Sequence, residues 1–193
     1  MGNISAMITD SSAYNDIAEK ENWPAVCDAT VRFSHPDLCR LLGVWRKAVK
    51  GSSLPRESDM TARLLRPFLP DIVIYECAIA RKGEQRWRVR LMGTSFAQIM
   101  GDLSGKFLDD AVPAKFLPRW HASLDATLGE RAPLRFLAQA MTSGMKFLVG
   151  EYFSAPLIAA DGSASLVLAA GRFTGGRAWQ DVEAEARQTL GLG

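Results

Sequence analysis

The sequence predicts an α+β fold: a five-stranded antiparallel sheet with helices on one face and an N-terminal amphipathic helix. Three observations predict it. Two strand-like runs, a block of helices and three more strand-like runs follow one another between about residues 71 and 173, an order that suits one antiparallel sheet rather than alternating βα units. Residues 85–92 alternate strictly, with Trp87, Val89 and Leu91 on one face and Arg86, Arg88 and Arg90 on the other; this is the two-residue period of a half-buried strand. Asp161-Gly162, between the last two runs, is a hairpin signal.

Residues 1–33 are polar and irregular around Pro24 and are expected to be a flexible arm. Residues 34–66 form a helical extension. Ser34 is placed to cap its first helix, with Pro36 in the first turn and Asp37 at the capping-box position. Leu38, Leu41, Leu42, Trp45 and Val49 then recur at three- and four-residue spacing, an amphipathic stripe. Covering the chain's own sheet and pairing with a second copy need the same stripe; a homodimer through these five residues is the expectation. Ser58 or Asp59 caps a second helix that Pro67 and Pro70 break.

Residues 67–174 are the predicted core. Residues 71–80 and the Trp87 run make a hairpin around Gly83. Gly93 ends the second strand, Thr94 caps a short helix carrying Phe96, and the Gly101-to-Lys106 stretch makes a compact turn. Pro113 opens a long helix over 114–129, apolar at Phe116, Leu117, Trp120, Leu124 and Leu128, with Arg119, Asp125 and Glu130 outward. Strands follow at 134–140, 146–157 and 165–173, and Pro156 makes the end of its strand an edge or bulge. Residues 175–193 are a tail with a short helix through Trp179, Val182 and Ala186.

Hydrophobic residues at 48% and charged residues at 23% are ordinary for a globular chain, which excludes disorder over the whole length. A net charge of +2 does not call for a nucleic-acid partner. Cys27, Cys39 and Cys77 are scattered without a CxxC pair, the pattern of reduced thiols without a metal site, so a cytoplasmic location is expected. Neither a secretory leader nor an apolar run of membrane-helix length is present.

Several short pieces then fall in a particular order: Trp45, Gly51-x-x-Leu54-Pro55-Arg56-x-x-Asp59, Phe68-Leu69-Pro70, Arg88-x-Arg90-Leu91-x-Gly93-Thr94 and the Gly101-to-Lys106 turn. Over residues 38–171 the chain resembles a bacterial family of small stand-alone PAS-like proteins, departing from it in lacking a proline soon after Asp59. The resemblance implies a curved sheet closing over the long helix. It further implies a sensory or regulatory module, cytoplasmic and without catalytic activity, that binds a small ligand, a signalling protein, or both. Nothing in the 193 residues is a kinase, cyclase or DNA-binding segment, so the expected output acts in trans.

Candidate cavity residues are Trp87, Val89, Leu91, Phe96, Phe107, Trp120, His121, Leu124, Phe136, Phe147 and Tyr152, since small-molecule sites use aromatic walls with a few polar groups. The bland alternative is that these side chains simply fill a core, leaving a protein–protein scaffold. No cofactor is expected. In haem-sensing PAS domains a histidine of the long helix holds the iron, and His121 is the residue here at that place. With no cysteine after Cys77, flavin photochemistry through a cysteine of the helix block is excluded. The Gly101-to-Lys106 stretch has three residues between its glycines and Phe107 after the lysine, so it is not a phosphate loop. No GxSxG or HExxH pattern occurs; a small curved-sheet enzyme would have to use His121 for acid–base chemistry. Arg86, Arg88 and Arg90 form the most basic stretch, either an anion surface or arginines paired internally.

Overall fold

The computed structural model of the chain describes residues 8–51, 53–79, 85–140 and 148–192. The antiparallel α+β architecture is as predicted, but the sheet has six strands, in the order β1 (Ala25–Asp28), β4 (Leu134–Gln139), β5 (Val149–Leu157), β6 (Leu166–Thr174), β2 (Ile72–Ile79) and β3 (Gln85–Met92). The sixth strand comes from the segment expected to be a flexible arm. Asp10 caps a helix there, α1 (Ser11–Lys20), by accepting from the Ala13 N–H at 2.9 Å. Tyr14 and Ala18 lie buried on its inner side. All four residues of β1 are buried, and its free edge is closed by a side chain: Asn15 Nδ2 donates to the Cys27 carbonyl at 2.9 Å while its Oδ1 accepts from the Cys27 N–H at 2.8 Å. An amide thus stands where a neighbouring strand would pair. Six of the ten residues of α1 are polar and β1 is only four residues long, so neither element stands out by composition.

Helices cover both faces of the sheet: the helices of the core share the inner face, as expected, and the amphipathic and C-terminal helices lie on the outer one. On the outer face lies α2 (Pro36–Ala48), capped by His35 rather than Ser34: His35 Nδ1 accepts from the Asp37 N–H at 3.2 Å, and the Ser34 and His35 amides both donate to the Glu151 carboxylate. Its stripe is spent inside the chain. Leu38, Leu41, Leu42 and Trp45 are buried and Val49 partly so, all packed with Phe153, Ala155, Leu157, Leu168 and Ala170. The Trp45 indole donates to the Pro156 carbonyl at 3.1 Å. The expected dimer contact through this stripe is therefore corrected: these side chains already cover their own sheet. Pro156 is tolerated because β4 stops pairing at Ser154, so this end of β5 is an edge on that side. At the far end of the outer face, α7 (Trp179–Leu190) packs Trp179, Val182 and Ala186 on Val26, Leu137 and Val149.

The second predicted helix is broken up. A 3₁₀ turn at Glu57–Asp59, the short α3 (Ala62–Leu65) capped by Thr61, and a 3₁₀ stretch at Arg66–Asp71 carry the chain into β2. The inner face holds α4 (Thr94–Met100), α5 (Leu108–Ala111) and α6 (Leu117–Glu130). The Gly101-to-Lys106 turn is structural. Asp102 Oδ1 accepts from the Ser104 N–H at 2.9 Å, and the turn's backbone bonds both groups of Val89, shielding the edge strand β3. No helix of the described residues is long and apolar enough to cross a membrane.

Candidate functional site: the cavity under α6

Alternation on β2, β5 and β6 divides the sheet's side chains between two cores. Tyr75, Tyr152 and Ala169 point inward, toward α6, while Phe153 and Leu168 belong mainly to the outer core under α2. Between the inner face and α6 lies a cavity of about 90 Å³. Phe96, Trp120, Leu124, Phe136 and Tyr152 line it, five of the residues proposed from sequence. Two glycines make this arrangement fit. A Cβ on Gly150 would lie 2.4 Å from the Tyr152 ring and hydroxyl, and one on Gly171 would lie 2.9 Å from Phe96. The rings pack edge to face: Tyr152 against Phe173 at 5.5 Å, Tyr14 against Phe136 at 5.0 Å, Tyr75 against Trp120 at 6.2 Å.

The other proposed residues lie elsewhere. Trp87 and Val89 are buried beside the cavity without lining it. The Trp87 indole donates to Asp125 Oδ1 at 3.0 Å, tying β3 to α6. Leu91 is 38% exposed and faces the other way. Tyr75 pairs with Val89 while Ile74 pairs with Leu91, so Arg90 is an extra residue in the ladder; this bulge reverses the alternation, and Met92 rather than Leu91 joins the inner core. Phe107 sits under the Arg86 guanidinium, whose Cζ is 4.3 Å from the ring centroid. His121 turns Nε2 toward Asp109, 3.5 Å from Oδ1, and is not among the lining residues; it does not fit the role of an axial ligand in this cavity. Phe147 falls outside the described residues.

Sequence reasoning missed Tyr14, Tyr75, Ser123, Ser154 and, above all, Arg119. This arginine was assigned to the solvent side of α6, yet it is only 7% exposed. The unrecognised α1–β1 segment covers that side of the helix. Arg119 donates to the Pro24 carbonyl at 3.2 Å and the Gln139 carbonyl at 2.8 Å. Among the described residues no carboxylate pairs with it, and burial pulls its pKa down. The titratable groups beside it are two phenols, Tyr14 and Tyr152. Burial pushes Tyr152 up to about 12 and raises Tyr14 and Tyr75 well above the ordinary phenol range. All three therefore stay neutral hydrogen-bond donors at physiological pH. Asp125 and Glu130, also expected outward, are used as well: Glu130 Oε2 accepts from the Ser11 N–H at 3.0 Å.

The basic stretch on β3 is paired within the chain. Arg86 meets Asp109 and Asp110, Arg88 meets Glu76, and Arg90 meets Glu57. In an open groove of about 550 Å³ beside α7, three lining arginines are likewise paired, Arg135 with Asp28 and Glu151, Arg172 with Asp37 and Asp71, and Arg177 with Glu185, while Arg32 is exposed and donates to the Thr30 hydroxyl. Among the described residues, the cavity holds the buried cation without a counter-charge.

The family model described as PAS domain matches residues 33–171, well over half of the chain. The chain belongs to the PAS domain family. A solved structure of an RNA-binding light-oxygen-voltage receptor is similar over 74% of this chain, at 11% identity and a TM-score of 0.42; this chain spans 40% of that one. No curated protein matches. In PAS terms, β2 to β6 are the shared sheet and α6 its long helix, while α1 and β1 precede the matched residues.

Proposed function

We propose that this PAS protein is a non-enzymatic sensory and regulatory module, which takes a small molecule between its sheet and α6 and acts in trans on a separate signalling protein. The observation that carries this reading is the cavity itself: aromatic walls from six elements, glycines that make room for two of its rings, and a buried cation that no carboxylate pairs among the described residues. Small-molecule sites have that make-up, a mostly apolar enclosure with a few polar groups. Occupancy would act on α6 and, through the Trp87–Asp125 bond and the Glu130–Ser11 bond, on β3 and α1. A ligand shifts such a module only so far as it binds two arrangements of these elements unequally.

Native mass spectrometry and an absorption spectrum of freshly purified protein test the reading. A retained small molecule, or saturable binding of one by the purified chain, is expected, with no Soret band. A Soret band would replace the reading with haem sensing. A chain that retains nothing and binds nothing would leave a scaffold acting by protein contacts alone.

A further inference from the structure

We propose that the ligand of this cavity is a small carboxylate with an apolar body, its anionic end held by Arg119 and the Tyr14 and Tyr152 hydroxyls; this rests on the ligand-binding reading above. A guanidinium has five N–H donors, and buried charges are normally paired with an opposite charge. Arg119 spends two donors on neutral carbonyls, which satisfy hydrogen bonds without cancelling charge. Among the described residues the Tyr14 and Tyr152 hydroxyls make no hydrogen bond, although both side chains line the cavity. Neutral phenols and a guanidinium are all donors to a carboxylate, and none of them needs to change protonation to serve.

The rest of the wall limits what else can enter. Phe96, Met100, Leu124, Phe136 and Ala169 offer no polar atoms. The remaining polar groups are occupied: Ser123 donates to the Trp120 carbonyl at 2.8 Å, Ser154 bonds Thr127 at 2.8 Å, and the Tyr75 hydroxyl and Trp120 indole bond each other. A multiply charged phosphate would leave oxygens facing hydrocarbon, whereas a monocarboxylate presents one anionic end and buries an apolar remainder. A bidentate Arg–carboxylate pair in a dry site is a strong interaction.

The test measures calorimetric binding and thermal shift of the full chain with butyrate and benzoate against butyramide and benzamide, with inorganic phosphate alongside. The carboxylates should bind at least tenfold tighter than the matching amides and tighter than phosphate. Arg119→Gln should erase that preference and leave amide binding intact. Should Arg119→Gln fail to fold, Tyr152→Phe in the wild-type background should weaken benzoate several-fold and benzamide hardly at all. Amides binding as well as acids, phosphate binding best, or a Tyr152→Phe variant with unchanged preference, would overturn the carboxylate assignment while leaving the cavity reading standing. If no probe binds, and benzene or xenon shifts no resonance of the cavity side chains, the cavity reading itself falls.

Discussion

The two faces of one sheet are packed in opposite ways. Under α2 the outer face is filled with aliphatic side chains at zero or near-zero exposure: Leu41, Leu157, Leu166, Leu168. Under α6 the inner face sets large rings against glycines and alanine, buries a cation, and leaves space. Both faces use the same strands, and β6 supplies Leu168 to one and Ala169 to the other. The outer face therefore carries stability and the inner face gives some of it up. Close packing with few voids is the default of protein interiors, so an unfilled, polar-edged space opposite a filled one is the feature on which the proposed ligand binding rests.

Substitutions on the two faces should separate most widely where packing is tightest. Leu41→Ala is expected to cost about 2–5 kcal/mol, the range for truncating a fully buried leucine, whereas Ser123→Ala in the cavity wall should stay within about 0.5 kcal/mol. Urea unfolding of both variants measures the gap; similar midpoints would erase the distinction between the faces. Charged replacements of Leu41 and Trp45 should unfold the protein rather than produce a folded monomer.

A finer comparison uses neighbours on β6. Leu168→Phe overpacks the outer core and should destabilise by about 1–3 kcal/mol. Ala169→Leu grows into the cavity and should stabilise by about 0.5–2 kcal/mol, as cavity filling commonly does, while abolishing small-molecule binding. Equal losses in thermal unfolding would mean that the inner space is too small to accept a side chain.

Much of this was legible from sequence, and the failures have one main cause. The alternation through Trp87 and Val89, the apolar spacing of α2 and α6, and the Asp161-Gly162 hairpin are local signals, and the structure honours each. Arg119, Asp125 and Glu130 look solvent-facing because helical periodicity counts only residues on the same helix. What buries Arg119 and employs Glu130 is α1 and β1, about a hundred residues earlier. Gly129 marks that approach: a Cβ there would stand 2.1 Å from the Thr9 carbonyl. Periodicity also cannot see the extra residue at Arg90, so it places Leu91 on the wrong face. Asp10 as a cap and the spacing of Tyr14, Ile17 and Ala18 are the signals that could have revealed α1.

Tyrosine titration then reads the inner face directly. The chain has three tyrosines, Tyr14, Tyr75 and Tyr152, and each is raised by burial. Absorbance at the phenolate band near 295 nm should stay flat through a pH of about 10, where free tyrosine ionises, and rise only as Tyr152 approaches about 12 or the chain unfolds. Raised pKa values mean that the folded state holds its protons to higher pH than the unfolded state. This contribution is whole below the unfolded value and is lost as pH climbs through the folded one. A one-phenol step near neutral tyrosine's usual value would show that one ring is wet.

The smallest effect lies at the rim of the outer face, and it runs the opposite way with pH. Arg172 donates to Asp37 Oδ2 at 2.7 Å and also pairs with Asp71, joining α2 to the end of β6, while Arg40 adds a second contact. Arg172 first and Arg40 second hold the Asp37 carboxyl below its usual range. A lowered carboxyl pKa stabilises the fold above the unfolded value of about 4, and that share is lost as pH falls through the folded pKa. Asp37→Asn should therefore lower stability at pH 7 by no more than about 1 kcal/mol, because the pair is partly exposed to solvent. It should converge with the wild type in acid, and salt should narrow the difference at neutral pH. Melting temperatures taken from neutral to acidic pH at two salt concentrations check this. A difference that persists below the folded carboxyl range would mean that Asp37 acts through the packing of α2 rather than through its charge.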